Sequence, residues 1–204
     1  MSVHDLLYRP VRAGTSIVNE RINQPGTLGL IAKDAAGAAW MVSCYHVLCE
    51  VDLKAYVKDE AIFQPAAVVA GNQIAVTRKA KADAVLDCAA AQVQAGIKVS
   101  NEVLGIGAIP GVAAAVVGMR VIKSGGESGI TEGIVSAVDG KAITIEIIDG
   151  YPDDYELSDR GDSGSAWLEL GTHKAVGLHN SGNVGEATAA PMQSVLDSLG
   201  LKLI

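Results

Sequence analysis

Short apolar runs rich in Val, Ile and Thr recur along the whole chain and are separated by Gly, Asp and Asn. That spacing predicts many short β-strands joined by turns. Glycine accounts for 23 of the 204 residues, which exceeds the usual ~7% and supplies the turns. Strand-like and helix-like segments do not alternate, so the pattern disfavours a parallel α/β fold.

The apolar runs fall into two groups of about six, which predicts an all-β fold of two packed six-stranded antiparallel barrels. A chain with 49% hydrophobic residues and this length is able to bury one substantial core or two small ones. The predicted parts are an irregular N-terminal arm at 1–25, a first barrel at 26–95, a connector at 96–111, a second barrel at 112–190 and a helix with its tail at 191–204.

The helix is predicted from the spacing near the C-terminus. Met192, Val195, Leu196 and Leu199 recur at intervals that place them on one helical face. Such a stripe is typical of a helix packed on a core.

Charge and composition argue against several classes of partner. The formal net charge is −7, and an acidic chain repels nucleic acid and anionic membranes, so neither is predicted as a partner. The uncharged stretch 103–119 is shorter than the ~20 residues needed to span a bilayer. No cluster has the spacing of metal ligands, so neither a metal nor another cofactor is predicted.

The predicted compartment is the cytoplasm. The first residues, MSVHDLLYRP, lack the charged and apolar regions of a signal peptide. The three cysteines, Cys44, Cys49 and Cys88, are odd in number and show no disulfide framework. Reduced thiols are therefore expected.

The segment RGDSGSAW, at 160–167, is the most informative stretch. Glycines on both sides of Ser163 permit a tight turn that projects its hydroxyl. The same turn would aim the amides of Gly161 and Ser163 at the oxyanion of an acyl-transfer intermediate. The alternative is an ordinary Asp-Ser-Gly turn in a β protein.

A serine hydroxyl needs an adjacent base to act as a nucleophile, and the chain has four histidines. His4 lies in the arm and His173 in a turn. His46 lies where a strand ends in an apolar cluster, and it is favoured because a base must be held rigidly. His179, in the strand-like VGLHN, is a rival that also fits a histidine satisfied within the sheet.

The base in turn needs a carboxylate that orients it. Asp87 lies in the apolar stretch AVLDCAAAQV, where a charge is costly unless it is paired. Asp83 is the alternative, although it is nearer to a charged stretch and is expected to be solvated. Asp87 would otherwise be a strand-end carboxylate that caps a turn.

The order His46, Asp87, Ser163 and the motifs SCYHVL, LDCAAAQV and RGDSGSAW resemble the chymotrypsin-like serine proteases. The further motifs GTLGLIAKD, IFQPA and VIKSGGESGITEGIV resemble a group of bacterial trypsin-like proteins related to the plant narrow-leaf protease. The resemblance extends over about residues 10–200.

This resemblance implies a serine endopeptidase that acts on a polypeptide substrate. It places Leu157 at the floor of the primary specificity pocket, with Gly182 leaving the opposite wall open, which favours an uncharged apolar side chain. A basic preference stays open because Asp154 and Asp159 are close by in sequence. The substrate backbone would pair with the strand that supplies His179, Asn180, Ser181 and Gly182.

One departure from the family pattern leaves alternatives open. The chain has no recognisable activation site before an Ile-Val-Gly-Gly start, so Asp162 is expected to pair locally or with Arg160. Activity would then be restrained by the arm, by a second copy of the chain or by a regulatory protein. The competing functions are a binding or assembly module, inactive or only self-processing, and a non-proteolytic esterase.

Overall fold

The computed structural model describes residues 2–49, 58–81, 86–152 and 155–204. Within these ranges a short 3₁₀ helix at Val3–Asp5 precedes strands that are mostly antiparallel. The first ten strands are β1 Val11–Ala13, β2 Ser16–Asn19, β3 Gly26–Thr27, β4 Leu30–Lys33, β5 Ala39–Cys44, β6 Ala61–Phe63, β7 Gln73–Lys81, β8 Cys88–Val93, β9 Val99–Val103 and β10 Gly107–Ala108.

The remaining strands are β11 Arg120–Gly125, β12 Gly129–Val138, β13 Ile143–Glu146, β14 Ala166–Glu169, β15 Ala175–Gly182, β16 Glu186–Pro191 and β17 Lys202–Leu203. The α-helices are α1 Tyr45–Leu48 and α2 Met192–Leu199. No helix in the described ranges has both the length and the apolar character needed to cross a membrane.

The C-terminal half is a closed antiparallel barrel in the strand order β11-β12-β13-β16-β15-β14. Along β12, Thr131, Gly133 and Val135 are buried while their neighbours are not, as the two-residue period of a strand requires. The barrel encloses a core of apolar side chains that includes Val121, Ile145 and Trp167. The predicted second barrel is confirmed.

The N-terminal half is a curled sheet of eight strands in the order β17-β4-β5-β8-β7-β6-β2-β3. The all-β, two-part architecture is confirmed, but this sheet has two more strands than predicted. One of them, β17, comes from the C-terminal tail and pairs with β4.

The predicted irregular arm is wrong, because residues 1–25 contain β1 and β2. β2 pairs with β6 inside the eight-stranded sheet. β1 pairs in parallel with β9, which lies with β10 in the predicted connector. These strands are two to five residues long, too short for a sequence pattern to separate them from loops.

Close backbone packing joins the two halves beside the predicted nucleophile. A Cβ on Gly164 would overlap Ser43 Oγ and the Thr27 carbonyl, so only glycine fits there. The Thr27 amide donates to the Ser163 carbonyl at 2.8 Å. The turn that carries Ser163 is therefore held against the N-terminal sheet.

The predicted C-terminal helix is confirmed as α2. Its residues Met192, Val195, Leu196 and Leu199 are buried in the same apolar cluster as the core of the N-terminal sheet. Gly200 ends the helix in a left-handed conformation at φ 65°, which is a common helix stop.

Candidate active site

His46 and Asp87 meet because β5 and β8 are neighbours in the sheet. Cys44, the last residue of β5, pairs with Cys88, the first of β8. His46 follows on α1, and Asp87 directly precedes β8. The two side chains are thus brought together from positions 41 residues apart.

The Asp87 carboxylate holds both the ring and the backbone of His46. His46 Nδ1 lies 2.5 Å from Asp87 Oδ2, and the His46 amide donates to Oδ1 at 3.1 Å. The Asp87 side chain is only 12% exposed. This contact fixes the ring orientation that a general base needs, and it favours Asp87 as the orienting acid. Asp83, the alternative, lies outside the described residues.

The turn around Ser163 adopts the conformation that its glycines permit. Gly161 and Gly164 have φ values of 112° and 92°, a region that favours glycine. Thr27 Oγ1 donates to the Gly161 carbonyl at 2.7 Å. Within the described ranges, neither the Gly161 amide nor the Ser163 amide donates a hydrogen bond inside the protein. Both donors are therefore open to an oxyanion.

A cleft of about 450 Å³ lies in front of this turn, and both His46 and Ser163 line it. Its lining consists of Gln24, Pro25, His46, Glu127, Arg160, Gly161 and Ser163. The sequence motifs therefore converge on one surface, where the histidine and the serine line the same cleft.

Asp162 pairs with a lysine that the sequence reasoning missed. Lys123 Nζ lies 2.7 Å from Asp162 Oδ2, and both side chains are fully buried. Ser128 Oγ also donates to Oδ2, at 2.5 Å. Of the two expected alternatives, the pairing with Arg160 is wrong because the carboxylate pairs with Lys123 instead, while a local donor is present in the Asp159 amide, 3.1 Å from Oδ2. The available signal was a lysine directly after the apolar residues Val121 and Ile122, a setting in which a charge needs a partner.

Each member of this pair stabilises the charged form of the other. Burial alone would raise the pKa of Asp162, but the Lys123 ammonium and the hydrogen bonds from Lys123 and Ser128 lower it to about 2. Burial lowers the pKa of Lys123 while Asp162 opposes that shift. The turn between Gly161 and Ser163 is thus anchored by an internal cation.

His179 is not the rival base, because its polar atoms are engaged inside the protein. Trp167 Nε1 donates to His179 Nδ1 at 3.3 Å, and Nε2 lies 2.7 Å from Ser158 Oγ. Since an indole only donates, Nδ1 must accept, and the ring proton is on Nε2. The backbone carbonyl accepts from the Gly164 amide. His179 is therefore buried and supports the turn that carries Ser163, and its predicted contact with substrate stays a prediction.

We expect His179 to make the fold sensitive to acid. Burial lowers the pKa of His179 to about 3, whereas an unfolded histidine titrates near 6.5. Below pH ~6.5 the unfolded chain takes up a proton that the folded chain does not, so stability falls by about 1 kcal/mol per pH unit. Urea unfolding of wild type and His179→Gln between pH 7 and 4 measures this. The variant should show the smaller decline, and equal slopes would contradict the expectation.

The residue predicted at the floor of the specificity pocket is buried. Leu157 is fully buried in the core of the C-terminal barrel, and its amide donates to the Val184 carbonyl at 3.0 Å. A Cβ on Gly182 would lie 3.1 Å from Ser158 Cβ. Whether Gly182 leaves a pocket open for a substrate side chain stays a prediction. Local motifs do not report how closely two distant segments approach.

The other predicted substrate-binding residues lie at the end of β15. Asn180 is half-buried, and Ser181 and Gly182 are exposed. Their part in substrate binding stays a prediction.

One group in the described part of the chain has metal-binding atoms close together. Those of Cys44, His46 and Asp87 lie within 4.8 Å of one another, an arrangement that sequence spacing did not reveal. Burial and the nearby Asp87 raise the pKa of the Cys44 thiol well above its usual range, and Sγ donates to the His179 carbonyl at 3.0 Å. A protonated thiol is a poor metal ligand, which argues against a metal at this group. That the protein binds no metal stays a prediction.

No family model and no curated protein matches the chain. Solved structures do match. The chain is similar to the Nocardiopsis protease NAPase, with a TM-score of 0.71, 17% identity and coverage of 95% of this chain and 98% of that one. A glutamic acid specific serine protease, described as using a histidine triad in substrate binding, matches with a TM-score of 0.71, 20% identity and coverage of 95% and 100%. Cellulomonas bogoriensis chymotrypsin matches with a TM-score of 0.69, 19% identity and coverage of 95% and 98%.

These neighbours are chymotrypsin-like serine proteases, and the chain has their fold. The predicted fold is thereby confirmed over nearly the whole length. The narrower resemblance to relatives of the narrow-leaf protease stays a prediction.

Proposed function

We propose that the protein is a serine endopeptidase that cleaves polypeptides through an acyl-enzyme on Ser163. The observation that carries this proposal is the hydrogen-bonded His46–Asp87 pair beside a cleft that Ser163 also lines. The two uncommitted amides at Gly161 and Ser163 support it. We also propose a cytoplasmic location, supported by three buried cysteines, Cys44, Cys49 and Cys88, none of which forms a disulfide.

In the proposed reaction, each proton transfer and each developing charge is assigned to a particular residue. His46 Nε2 takes the proton of Ser163 Oγ as the oxygen attacks the substrate carbonyl carbon. Asp87 keeps the proton on Nδ1 and stabilises the imidazolium that forms. The amides of Gly161 and Ser163 hold the oxyanion. The imidazolium then protonates the leaving amine, and water releases the acyl group by the same path in reverse.

A fluorophosphonate probe tests this proposal, because it reacts with an activated serine and forms a stable ester. Wild type should be labelled, while Ser163→Ala and His46→Ala should lose labelling. Ser165→Ala is the matched control and should keep labelling, because Ser165 Oγ is buried and has no partner among the described residues. Folded wild-type protein that stays unlabelled would contradict the proposal and favour a binding or assembly module.

A further inference from the structure

The short helix α1, Tyr45–Leu48, carries His46 but cannot hold it in place alone. One hydrogen bond closes its single turn, from the Cys49 amide to the Tyr45 carbonyl at 2.8 Å. So short a helix is unstable in isolation, and its last carbonyl groups have no partner within the helix. The orientation of His46 therefore depends on contacts that α1 makes with other parts of the protein.

Asp87 fixes the first end of α1. The Tyr45 amide donates to the Asp87 carbonyl at 3.0 Å, and the His46 amide donates to Asp87 Oδ1 at 3.1 Å. These two bonds hold the beginning of the helix beside the start of β8. The far end of the helix, at Leu48 and Cys49, is held by other groups.

Asn19 and Arg21 hold that far end. Asn19 Nδ2 donates to the Leu48 carbonyl at 2.8 Å, and Arg21 Nη2 donates to the Cys49 carbonyl at 2.6 Å. Asn19, Leu48 and Cys49 are fully buried, and a buried carbonyl that loses its donor is costly. The two carbonyls that α1 leaves without a helical partner are thus satisfied by side chains from the end of β2 and the residues just after it.

Glu60 orients both of these donors. Its Oε2 accepts from Asn19 Nδ2 at 2.8 Å, and its Oε1 accepts from Arg21 Nε. The Glu60 side chain is only 7% exposed, and a buried carboxylate is costly unless it is paired. The side-chain amide of Asn19 has two hydrogens, and its bonds to Leu48 and Glu60 use both. Asn19, Arg21 and Glu60, which we call the α1 clamp, therefore fix one another's positions.

The α1 clamp is built on the N-terminal sheet and lies outside the cleft. Asn19 ends β2, Glu60 directly precedes β6, and these two strands are paired. Among the described residues, none of the three members of the clamp lines the cleft in front of Ser163. An effect of the clamp on the reaction must therefore pass through α1.

We propose that the α1 clamp positions the general base, by holding the end of α1 so that the imidazole of His46 faces Ser163. This inference rests on the proposed function and adds three positioning residues to the same site. If the far end of α1 were released, the helix would pivot about its bonds to Asp87. A displacement of about 1 Å at a reacting group slows a reaction by about a hundredfold.

The first test is Arg21→Met, which removes the donor to Cys49. Fluorophosphonate labelling is measured at increasing probe concentration. We expect the maximal labelling rate constant to fall about tenfold to hundredfold. The probe concentration that gives half of that rate should not change, because the probe does not touch the clamp. Arg21→Lys keeps a cationic donor and should lie between Arg21→Met and wild type. Arg120→Met, the control, removes an exposed ion pair with Glu132 on the C-terminal barrel and should label at the wild-type rate.

A double variant separates positioning from stability. Arg21→Met leaves Glu60 buried without this counter-charge, whereas Arg21→Met/Glu60→Gln removes the charge and keeps an acceptor for Asn19. Urea unfolding should show that the double variant recovers part of the stability, while its labelling stays slow because Cys49 still lacks its donor. If Arg21→Met does not fold, the double variant decides alone. Wild-type labelling rates in the folded variants, or equal slowing in Arg120→Met, would overturn this inference and leave the proposed function intact. Folded wild type that is not labelled would overturn both.

Discussion

Replacing Asp87 with asparagine is expected to slow the acylation of Ser163 by about ten-thousandfold while the protein stays folded. The carbonyl oxygen of the new side chain would still accept from the His46 amide, which now donates to Asp87 Oδ1 at 3.1 Å. The new side-chain NH₂ group, however, would donate to His46 Nδ1. The ring proton would then be on Nε2, and His46 would have no lone pair to accept the proton of Ser163.

Asparagine is the informative substitution because of the backbone at this position. Asp87 has a φ of 35°, in the left-handed region that asparagine also tolerates. The measurement is the rate constant of fluorophosphonate labelling at pH 7. Asp197→Asn, an exposed change on α2, is the control and should label at the wild-type rate. A loss below tenfold in Asp87→Asn would contradict the orienting role.

Replacing Lys123 with methionine is expected to lower the free energy of unfolding by about 3–5 kcal/mol. The change would leave the carboxylate of Asp162 buried without its counter-charge. Serine and backbone donors would remain, from Ser128 Oγ and from the amides of Glu127, Ser128 and Asp159. Because Asp162 lies between Gly161 and Ser163, we also expect slower labelling of Ser163.

Strand β11 offers a matched control for this pair. Arg120 lies 2.9 Å from Glu132, with side chains that are 51% and 29% exposed, and exposed pairs contribute less than about 1 kcal/mol. Urea unfolding should therefore show a much smaller loss for Arg120→Met. The double variant Lys123→Met/Asp162→Asn removes both charges and should recover part of the stability. Equal losses for Lys123→Met and Arg120→Met would rule out an anchoring role for the buried pair.

The pH dependence of wild type follows from the same pair. The pKa of Asp162 is lowered to about 2, below the ~3.9 of an unfolded aspartate. Its contribution to stability is therefore complete above pH ~4 and is lost as the pH falls toward 2. This loss of folding stability adds to the loss expected from the buried His179, which starts at a higher pH.

The site residues that the sequence predicted were each identified from a short motif of a few adjacent residues. Ser163 is identified by flanking glycines, and both glycines have the positive φ that a tight turn requires. Asp87 is favoured because a carboxylate in an apolar run needs a partner, and His46 is that partner. In each case the physical constraint acts on a few adjacent residues.

The missed features depend on distances between segments. Lys123 and Asp162 are 39 residues apart, and Ser158 and His179 are 21 apart.

The sequence by itself determined the class of fold and the turn that carries Ser163, and it favoured His46 and Asp87 as the partners of Ser163. Burial patterns and turn chemistry are properties of short segments, so they can be read one segment at a time. Only the tertiary structure decided which cation neutralises Asp162 and which strands complete the N-terminal sheet. Those outcomes depend on contacts between segments that are far apart in the chain, and no short motif contains both partners of such a contact.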